Sequence, residues 1–579
     1  MVALTDRVKA GRLTVEVAEV TTDTTTIRSL DWDRDRFDIE FGLQNGTTYN
    51  SFIIRGDQTA LVDTSHAKFR QLYLDTLQGL IDPAAIDYLI ISHTEPDHSG
   101  LVADILQLAP QITVVGAKVA IQFLENLVHQ PFKSQQVKNG DTLDLGNGHV
   151  LEFVSAPNLH WPDTIFTYDR QTETLFTCDA FGMHYCSDLT YDSNLADIEA
   201  DYRFYYECLM APNARSVLSA IKRMKQLGNI TTIATGHGPL LRHNVQELTD
   251  RYQKWSQEQS KAETTAAVFY YSDFGYSDRL SQAIAHGITR TGVAVEMMDL
   301  RSADNQEIRE LASMATGLVI GMPPVSGQDA ELAQEAEEAI STILASTNKK
   351  QTFGLYESGS GNDLSVYPLE VKFKAAGLKP AFPSIRITET PTENTYKLCD
   401  EAGTDMGQLL SRDKAIKQMK SLDSDVDKAL GRISGGLYII TATKGEVSSA
   451  MLASWVSQAS FEPLGLTIAV AKDRAIEALM QVGDTFVLNV LEENNYQALM
   501  KHFLKRFPLG ADRFEGVKTQ AANNGSPILN DALAYLECQV ASRMELTDHW
   551  IVYATIDGGR VSNPDALPAV HHRKVGNHY

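Results

Sequence analysis

Apolar positions along this chain fall into short runs that alternate with amphipathic stretches. "NSFIIRGDQTALVDT" (50–64) is two apolar runs around Gly56-Asp57 and predicts a hairpin. "AIDYLIISH" (85–93) predicts a buried strand, and "ITVVGA", "HVLEFVSAPNLHW" and "ETLFTCDAFG" predict further strands that end in polar residues. "NARSVLSAIKRMKQLG" (213–228) has helical spacing and stops at a glycine. Near Glu263 the rhythm changes. "AAVFYYSDFGYSDRLSQAIAHGITRTG" reads as a buried strand, a Gly-containing turn and a helix with Leu280, Ile284 and Ile288 on one face. "VAVEMMDL", "TGLVIGMPP" and "QTFGLYES" follow as strands separated by helical stretches, a spacing that implies a parallel, doubly wound sheet. Residues between about 405 and 428 are charged and poor in strand formers, and read as a helix that doubles as a linker. From Gly431 onward "GLYIITATKG", "LGLTIAVAK", "DTFVLNVLE", "ALAYLECQV" and "HWIVYATIDGG" are β-rich runs spaced by turns, which predicts a small barrel.

The expected organisation is therefore 1–260, 261–405, a linker over 406–428, and 429–579. The length of 579 residues agrees with three or four domains of roughly 150 residues each. The formal net charge of −23 argues against nucleic acid or an anionic membrane surface as the main partner, while leaving room for a local basic patch. No apolar run reaches the roughly 18 residues of a transmembrane helix, and the N-terminus lacks a signal-peptide core. An integral membrane protein is not expected. Cys178, Cys186, Cys208, Cys399 and Cys538 are scattered with no CxxC, which disfavours a disulfide framework or a thiolate zinc site and fits a reducing cytoplasm.

Chemistry concentrates in "ISHTEPDHSG" (91–100). His93, Glu95, Asp97 and His98 lie on one short turn after a strand, and Pro96 stiffens that turn. His160 follows in "APNLHWPDT", Asp179 in "LFTCDAFG" and His237 in "ATGHGP", each at the end of a predicted strand. Seven such side chains are too many for one tetrahedral zinc. They suit two metals about 3.5–4 Å apart, with Asp179 as the natural bridge.

This pattern resembles the metallo-β-lactamase family, whose motif is H-x-H-x-D-H, with one departure: a glutamate stands in the second position. Hard anionic oxygen favours iron over a His-rich zinc site. H-x-E-x-D-H followed by His, Asp and His resembles the flavodiiron proteins, in which two irons reduce dioxygen or nitric oxide. The resemblance implies one iron on His93, Glu95 and His160, a second on Asp97, His98 and His237, and Asp179 between them. Trp161 is expected to pack, and His184 to support the ligands from behind.

Two further stretches extend the resemblance. "SDFGYS" joins a strand to a helix, where free N–H groups and hydroxyls make a phosphate cradle. It is similar to the flavodoxin loop that holds the phosphate of FMN, which implies contacts from Ser272, Phe274, Gly275, Tyr276 and Ser277. Loops at 321–327 and 356–363 would cover the ring through Pro323, Pro324 and Val325, and through Ser358, Gly359 and Ser360. The third loop departs from the family in having Ser358 and Gly359 where an aromatic is common. "SSAMLASWVSQASFEPLGL" (448–466) resembles the flavin-binding stretch of the flavin reductase family, which implies that Ser454, Ser457, Gln458 and Ser460 face a second flavin, FMN or FAD. Arg573 and Lys574 in the C-terminal "VHHRKVGNHY" suit either a dinucleotide's phosphates or a solvated tail.

The order lactamase-like, flavodoxin-like, flavin reductase-like resembles the long flavodiiron proteins of oxygenic phototrophs. The fold expected is a metallo-β-lactamase-like αββα sandwich, a flavodoxin-like doubly wound sheet and a C-terminal flavin reductase-like β-barrel. The resemblance implies reduction of dioxygen to water, fed from NADH or NADPH, or from ferredoxin, through FMN, as a photoprotective electron sink in the cytoplasm or at the surface of photosynthetic membranes. It also implies a head-to-tail homodimer, or a heterodimer with a paralogue. The rival readings are a nitric oxide reductase on the same site and a dinuclear zinc hydrolase with an attached flavin module.

Overall fold

The computed structural model describes residues 12–34, 36–37, 41–43, 45–272, 276–301, 303–322, 330–358, 366–421, 425–505, 507–546 and 548–572. The chain forms two compact units, one made of residues 1–38, 43–263 and 295–302, the other of 39–42, 264–294 and 303–579. No helix among the described residues is long and apolar enough to cross a membrane.

In the first unit a seven-stranded and a five-stranded sheet stack face to face. The expected hairpin is present as strands Thr47–Arg55 and Thr59–Val62. Alternation along the first of these strands sets the layers, because successive side chains point to opposite faces. Phe52 and Ile54 join Val62, Ile90, Phe153 and Phe176 between the sheets. Ile53 joins Tyr73, Leu77, Ile105 and Leu124 under a layer of helices. Helix Ala214–Met224 packs on strand His149–Ser155 of the five-stranded sheet. The result is four layers, helix–sheet–sheet–helix.

Parallel pairing decides where the polar strand ends meet. Strand Tyr88–Ile90 lies between Thr59–Val62 and Thr113–Ala117, all parallel. In the second sheet, Thr174–Cys178 and Thr232–Thr235 are parallel neighbours, with Cys178 opposite Thr235. Parallel strands bring their C-terminal ends to the same edge, so the residues that follow them gather there.

In the second unit, strands Thr265–Tyr270, Gly317–Met322 and Thr352–Ser358 pair in parallel order, and the last also takes Lys379–Pro380 and Ile385–Ile387. Leu280, Ile284 and Ile288 of helix Tyr276–Thr289 are fully buried, as their spacing predicts. Helices Asn305–Met314, Ala330–Ser346 and Val366–Ala375 separate the later strands. Residues 406–421, read from the sequence as part of a linker helix, belong to one continuous helix that starts at Glu393 and ends at Ser421.

The β-rich C-terminal region is a seven-stranded antiparallel sheet. Its inner face packs Ile440, Ile468, Phe486, Leu488, Val540 and Val552. Its outer face carries Ile439, Leu437 and Leu491 under helix Gln497–Leu504. The Ser-rich stretch 448–466 resolves into strands Val447–Ala453 and Val456–Phe461, which leaves Ser454 and Trp455 at the break between them.

Candidate metal centre

The turn after strand Tyr88–Ile90 is a short helix, Pro96–Ser99, with proline at its first position. The missing N–H of proline is harmless there, because that donor has no partner within the helix. The tight turn points Asp97 and His98 inward with Glu95 just ahead of them. Asp163 holds the turn from outside: its Oδ2 accepts from the Thr94 N–H at 2.9 Å and from the Thr94 hydroxyl at 2.7 Å. Asp63 accepts from the Ser92 N–H at 2.7 Å, just before the turn.

All seven side chains converge. Asp179 Oδ2 lies 3.4 Å from His93 Nε2 and 3.2 Å from His160 Nε2. Glu95 Oε2 closes this group at 2.9 Å from His160 Nε2 and 3.4 Å from His93 Nε2. Asp179 Oδ1 lies 3.0 Å from His98 Nε2 and 3.2 Å from His237 Nε2. Asp97 closes this second group, with Oδ1 3.5 Å from His98 Nε2 and Oδ2 3.3 Å from His237 Nε2. Each oxygen of Asp179 therefore faces one set of two imidazoles and one carboxylate, the same two groupings that the resemblance implies.

Packing is close enough to restrict residue type. A Cβ on Gly236 would sit 2.8 Å from His98 Cε1 and 3.2 Å from Cys178 Cα, so only glycine lets the His98 ring lie against this strand end. Cys178 itself has a φ of 51°, an uncommon value for a non-glycine residue, and that turn aims Asp179 back across the sheet.

The electrostatics call for cations. Burial pushes the Asp179 and Asp97 carboxyls up, but the histidines around them outweigh it and hold both well below the usual range. Burial likewise pushes the imidazoles down, yet facing carboxylates raise His93 to about 9 and His237 to about 10, with Asp179 prominent in both. Asp179 with the partly buried Glu95 and Asp97 carries negative charge that protons on these imidazoles offset here, and that would be left uncompensated once the imidazoles are neutral, the form that binds a metal. Metal ions in the middle would compensate it. His98 Nε2 and His237 Nε2 lie 3.2 Å apart, and two lone pairs at that distance suit a shared cation environment. The donor set of four imidazoles and three carboxylates fits iron.

The surroundings fix the ligands. His237 Nδ1 donates to the Thr48 carbonyl at 2.6 Å, which turns the Nε2 lone pair inward. His184 lies behind it, with Nδ1 2.7 Å from the Thr47 hydroxyl and its ring 4.7 Å from that of His237. Burial, reinforced by His237, holds His184 well below the ordinary imidazole range, so it is neutral. The Trp161 ring stacks 6.1 Å from His93. The buried Tyr205 hydroxyl and His184 Nε2 make no hydrogen bond among the described residues, and the Tyr205 ring is 6.2 Å from His237. Thr48, Asp63, Asp163 and Tyr205 carried no signal of their own in the sequence. Only Asp163, inside the quoted "APNLHWPDT", lay close to one.

The expected FMN residues are partly within view. Ser272, Ser277 and Ser358 are buried at the C-terminal edge of the parallel sheet, and Tyr276 is exposed there. Ser272 donates to Asp278 at 3.0 Å. The buried Ser358 hydroxyl has no partner among the described residues. Phe274, Gly275, Pro323, Pro324, Val325, Gly359 and Ser360 lie outside the described residues, as do Arg573 and Lys574. In the C-terminal sheet, Ser454 and Ser457 line a cavity of about 570 Å³ together with Trp455, Ser434 and Ile551. The buried Ser454 hydroxyl has no partner either. Gln458 and Ser460 are not among its lining residues. Ser460 instead donates to the Pro463 carbonyl at 2.6 Å within its own hairpin.

Three family models match the chain in order: the ODP family beta lactamase over residues 47–238, flavodoxin over 268–403, and the flavin reductase like domain over 430–577. The chain is 69% identical to a protein described as putative diflavin flavoprotein A 3 of Nostoc sp. strain PCC 7120, over 100% of both chains. It is 68% identical to diflavin flavoprotein A 1 of Synechocystis sp. strain PCC 6803, over 98% of both. Among solved structures, the metal-soaked Flv1 flavodiiron core from Synechocystis sp. PCC6803 matches with a TM-score of 0.63 and 37% identity, covering 69% of this chain and 99% of that one.

Proposed function

The chain belongs to the diflavin flavoproteins, three-domain members of the flavodiiron proteins, and from that premise we propose that it reduces dioxygen to water at a pair of irons. As a family member it is a flavin- and iron-dependent oxidoreductase. The observation that supports the finer reading is the split geometry of Asp179, one oxygen to each triad. His93, Glu95 and His160 hold one iron in this reading, and Asp97, His98 and His237 the other.

Two ferrous ions and one reduced FMN together supply the four electrons that dioxygen needs to become water. The chain's own residues do the rest. Asp179 spans both sites and sets their separation. The side chains of Glu95 and Asp97 are about one-fifth exposed, 21% and 18%, and form the open side of the pocket. Beside the His237 ring, burial keeps the Tyr205 phenol protonated, which leaves its O–H able to donate. Neutral His184 offers a second polar atom there. In this reading Ser454 and Ser457 would hold the flavin that takes electrons from NADH or NADPH, and Ser272 and Ser277 would hold the FMN that passes them on. Ferredoxin is the competing donor. The working form is a dimer, with a second copy or a paralogue.

The test is oxygen uptake by iron-loaded protein with each donor in turn, alongside metal analysis and an Asp179→Asn variant. The variant should lose iron and oxygen consumption while its flavins are still reduced. Wild-type oxygen uptake in that variant would overturn the diiron assignment. Two zincs in protein isolated without air would favour a hydrolase. Faster turnover with nitric oxide than with dioxygen would change the substrate and leave the site assignment intact.

A further inference from the structure

Within the second unit, two helices meet backbone to backbone. A Cβ on Gly403 would lie 2.0 Å from the Ile284 carbonyl oxygen, and one on Gly287 would lie 2.0 Å from that of Asp400. Helix Tyr276–Thr289 and the long helix Glu393–Ser421 are thus fitted through glycines. Another stripe of the long helix reaches the C-terminal sheet. Asn394 donates to Glu446 at 3.3 Å, Lys397 to the Ser448 carbonyl at 3.0 Å, and Gln408 to Asp473 at 3.0 Å. Arg513 donates back to Glu401 at 2.9 Å. Positions 394, 397, 401 and 408 are spaced by three, four and seven, which keeps them on one side of a helix.

Under this contact runs a buried chain of alternating charge. Arg290, just past the first helix, forks. One nitrogen pairs with Asp400, and the other lies 3.3 Å from Glu477 in the C-terminal region. Glu477 also pairs with Arg543 on strand Ala534–Glu545, whose guanidinium lies 4.0 Å over the Trp550 ring. His286 faces Asp400 at 2.9 Å. The four charged side chains are between 3% and 9% exposed. Burial pushes the Glu477 carboxyl up, but Arg543 and Arg290 outweigh it and hold it at about 2.

Buried ion pairs add little net stability, and removing one partner is strongly destabilising. Their better-attested use is to fix register. Arg290 and Asp400 belong to the flavodoxin-like part, Glu477 and Arg543 to the reductase sheet. If the two parts separated, Arg290 would keep Asp400 and Glu477 would keep Arg543, but the Arg290–Glu477 contact that joins the parts would be lost.

We propose that Asp400, Arg290, Glu477 and Arg543 are positioning residues that lock the reductase sheet onto the flavodoxin-like module, so that the two flavin sites keep one fixed separation through turnover. This rests on the reading that both modules carry flavin. Two electrons and a proton leave the reduced flavin of one module and arrive on the oxidised flavin of the other, with no swing of either part.

The experiment uses full-length, flavin-loaded protein. In a Gln408→Cys, Asp473→Cys variant joined by a short bismaleimide, stopped-flow transfer between the flavins should stay within twofold of the uncrosslinked rate. A tenfold drop would overturn the proposal, because it would mean the sheet has to move. In an Arg290→Met, Glu477→Leu variant, hydrogen exchange over 393–408 should speed up. Transfer between flavins should slow at least tenfold, while the first flavin is reduced by NADH or NADPH at its usual rate. Unchanged exchange and unchanged transfer would overturn the proposal, and if this variant does not fold the crosslink decides. If the wild-type reductase flavin accepts no electrons from either nucleotide, the proposed function fails. The exchange measurement would still test the lock.

Discussion

The Nδ1 of His237 sits 2.6 Å from the Thr48 carbonyl oxygen, a bond that commits the opposite nitrogen to the pocket. The Thr47 hydroxyl beside it lies 2.7 Å from His184 Nδ1. Groups that orient a metal-binding histidine typically change affinity about 10–100-fold. Thr47→Val removes a partner of His184 rather than of a proposed ligand and should therefore loosen one iron by less than that factor, whereas His237→Ala should leave about one iron per chain. Metal content after dialysis against a graded chelator checks both. Equal retention of two irons by His237→Ala would remove it from the ligand set.

Asp163 holds the metal turn through two hydrogen bonds from Thr94. Asp163→Ala strands a buried N–H and a hydroxyl, a loss of about 1–3 kcal/mol. The variant should melt lower and bind iron more weakly, and both changes should appear together in thermal melts with and without metal. A lower melting point with unchanged iron affinity would make Asp163 a fold residue alone.

Ser454 offers a cleaner separation between the two flavins. Ser454 is buried and lines the cavity of about 570 Å³, and its hydroxyl has no partner among the described residues. Ser454→Val should lower flavin content from two per chain toward one and abolish reduction by nicotinamide nucleotides. The FMN of the flavodoxin-like module should remain. Flavin counting on denatured protein reads the result, and two retained flavins would exclude Ser454 from the site.

Glu296 predicts a pH effect outside the metal centre. Burial lifts its carboxyl to about 8, with Arg215 Nε 3.8 Å away pulling it partly back. The native state then binds a proton that the unfolded chain, with its ordinary value of 4.5, releases. Stability from this group is present below about pH 4.5 and is lost progressively as pH rises to about 8, by at most about 1.4 kcal/mol per unit. Glu296→Gln should flatten the urea-unfolding profile between pH 5 and 8. An identical slope in wild type and variant would contradict the burial of an unmatched proton here.

Gly403→Ala tests the helix contact. The added methyl has no room beside the Ile284 carbonyl, and overpacking of this kind typically costs about 1–3 kcal/mol. The melting temperature of the second unit should fall while the first is unaffected, as followed by differential calorimetry.

Much of this protein is legible along the chain. Strand alternation separates Phe52 and Ile54 from Ile53, and helical spacing buries Leu280, Ile284 and Ile288, because those patterns are local. The cluster of candidate metal residues is legible too, since H-x-E-x-D-H is compressed into one turn and Asp179 and His237 follow the ends of their strands. Gln458 and Ser460 show the opposite case. Side-chain direction on strand Val456–Phe461 depends on its pairing with Leu464–Ala471, and a bulge between Gln458 and Ser460 breaks the simple alternation.

The residue types and their order by themselves pointed to the three successive modules, the candidate metal residues and the faces of most elements, because each signal is a short local stretch even where the stretches lie far apart. Only the tertiary structure decided which oxygen of Asp179 serves which triad, that Thr48 and Asp163 support the ligands, and that Arg290 meets Glu477. Those partners lie tens to hundreds of residues apart. Sheet pairing and helix packing, rather than any local preference of the chain, set the distances between them.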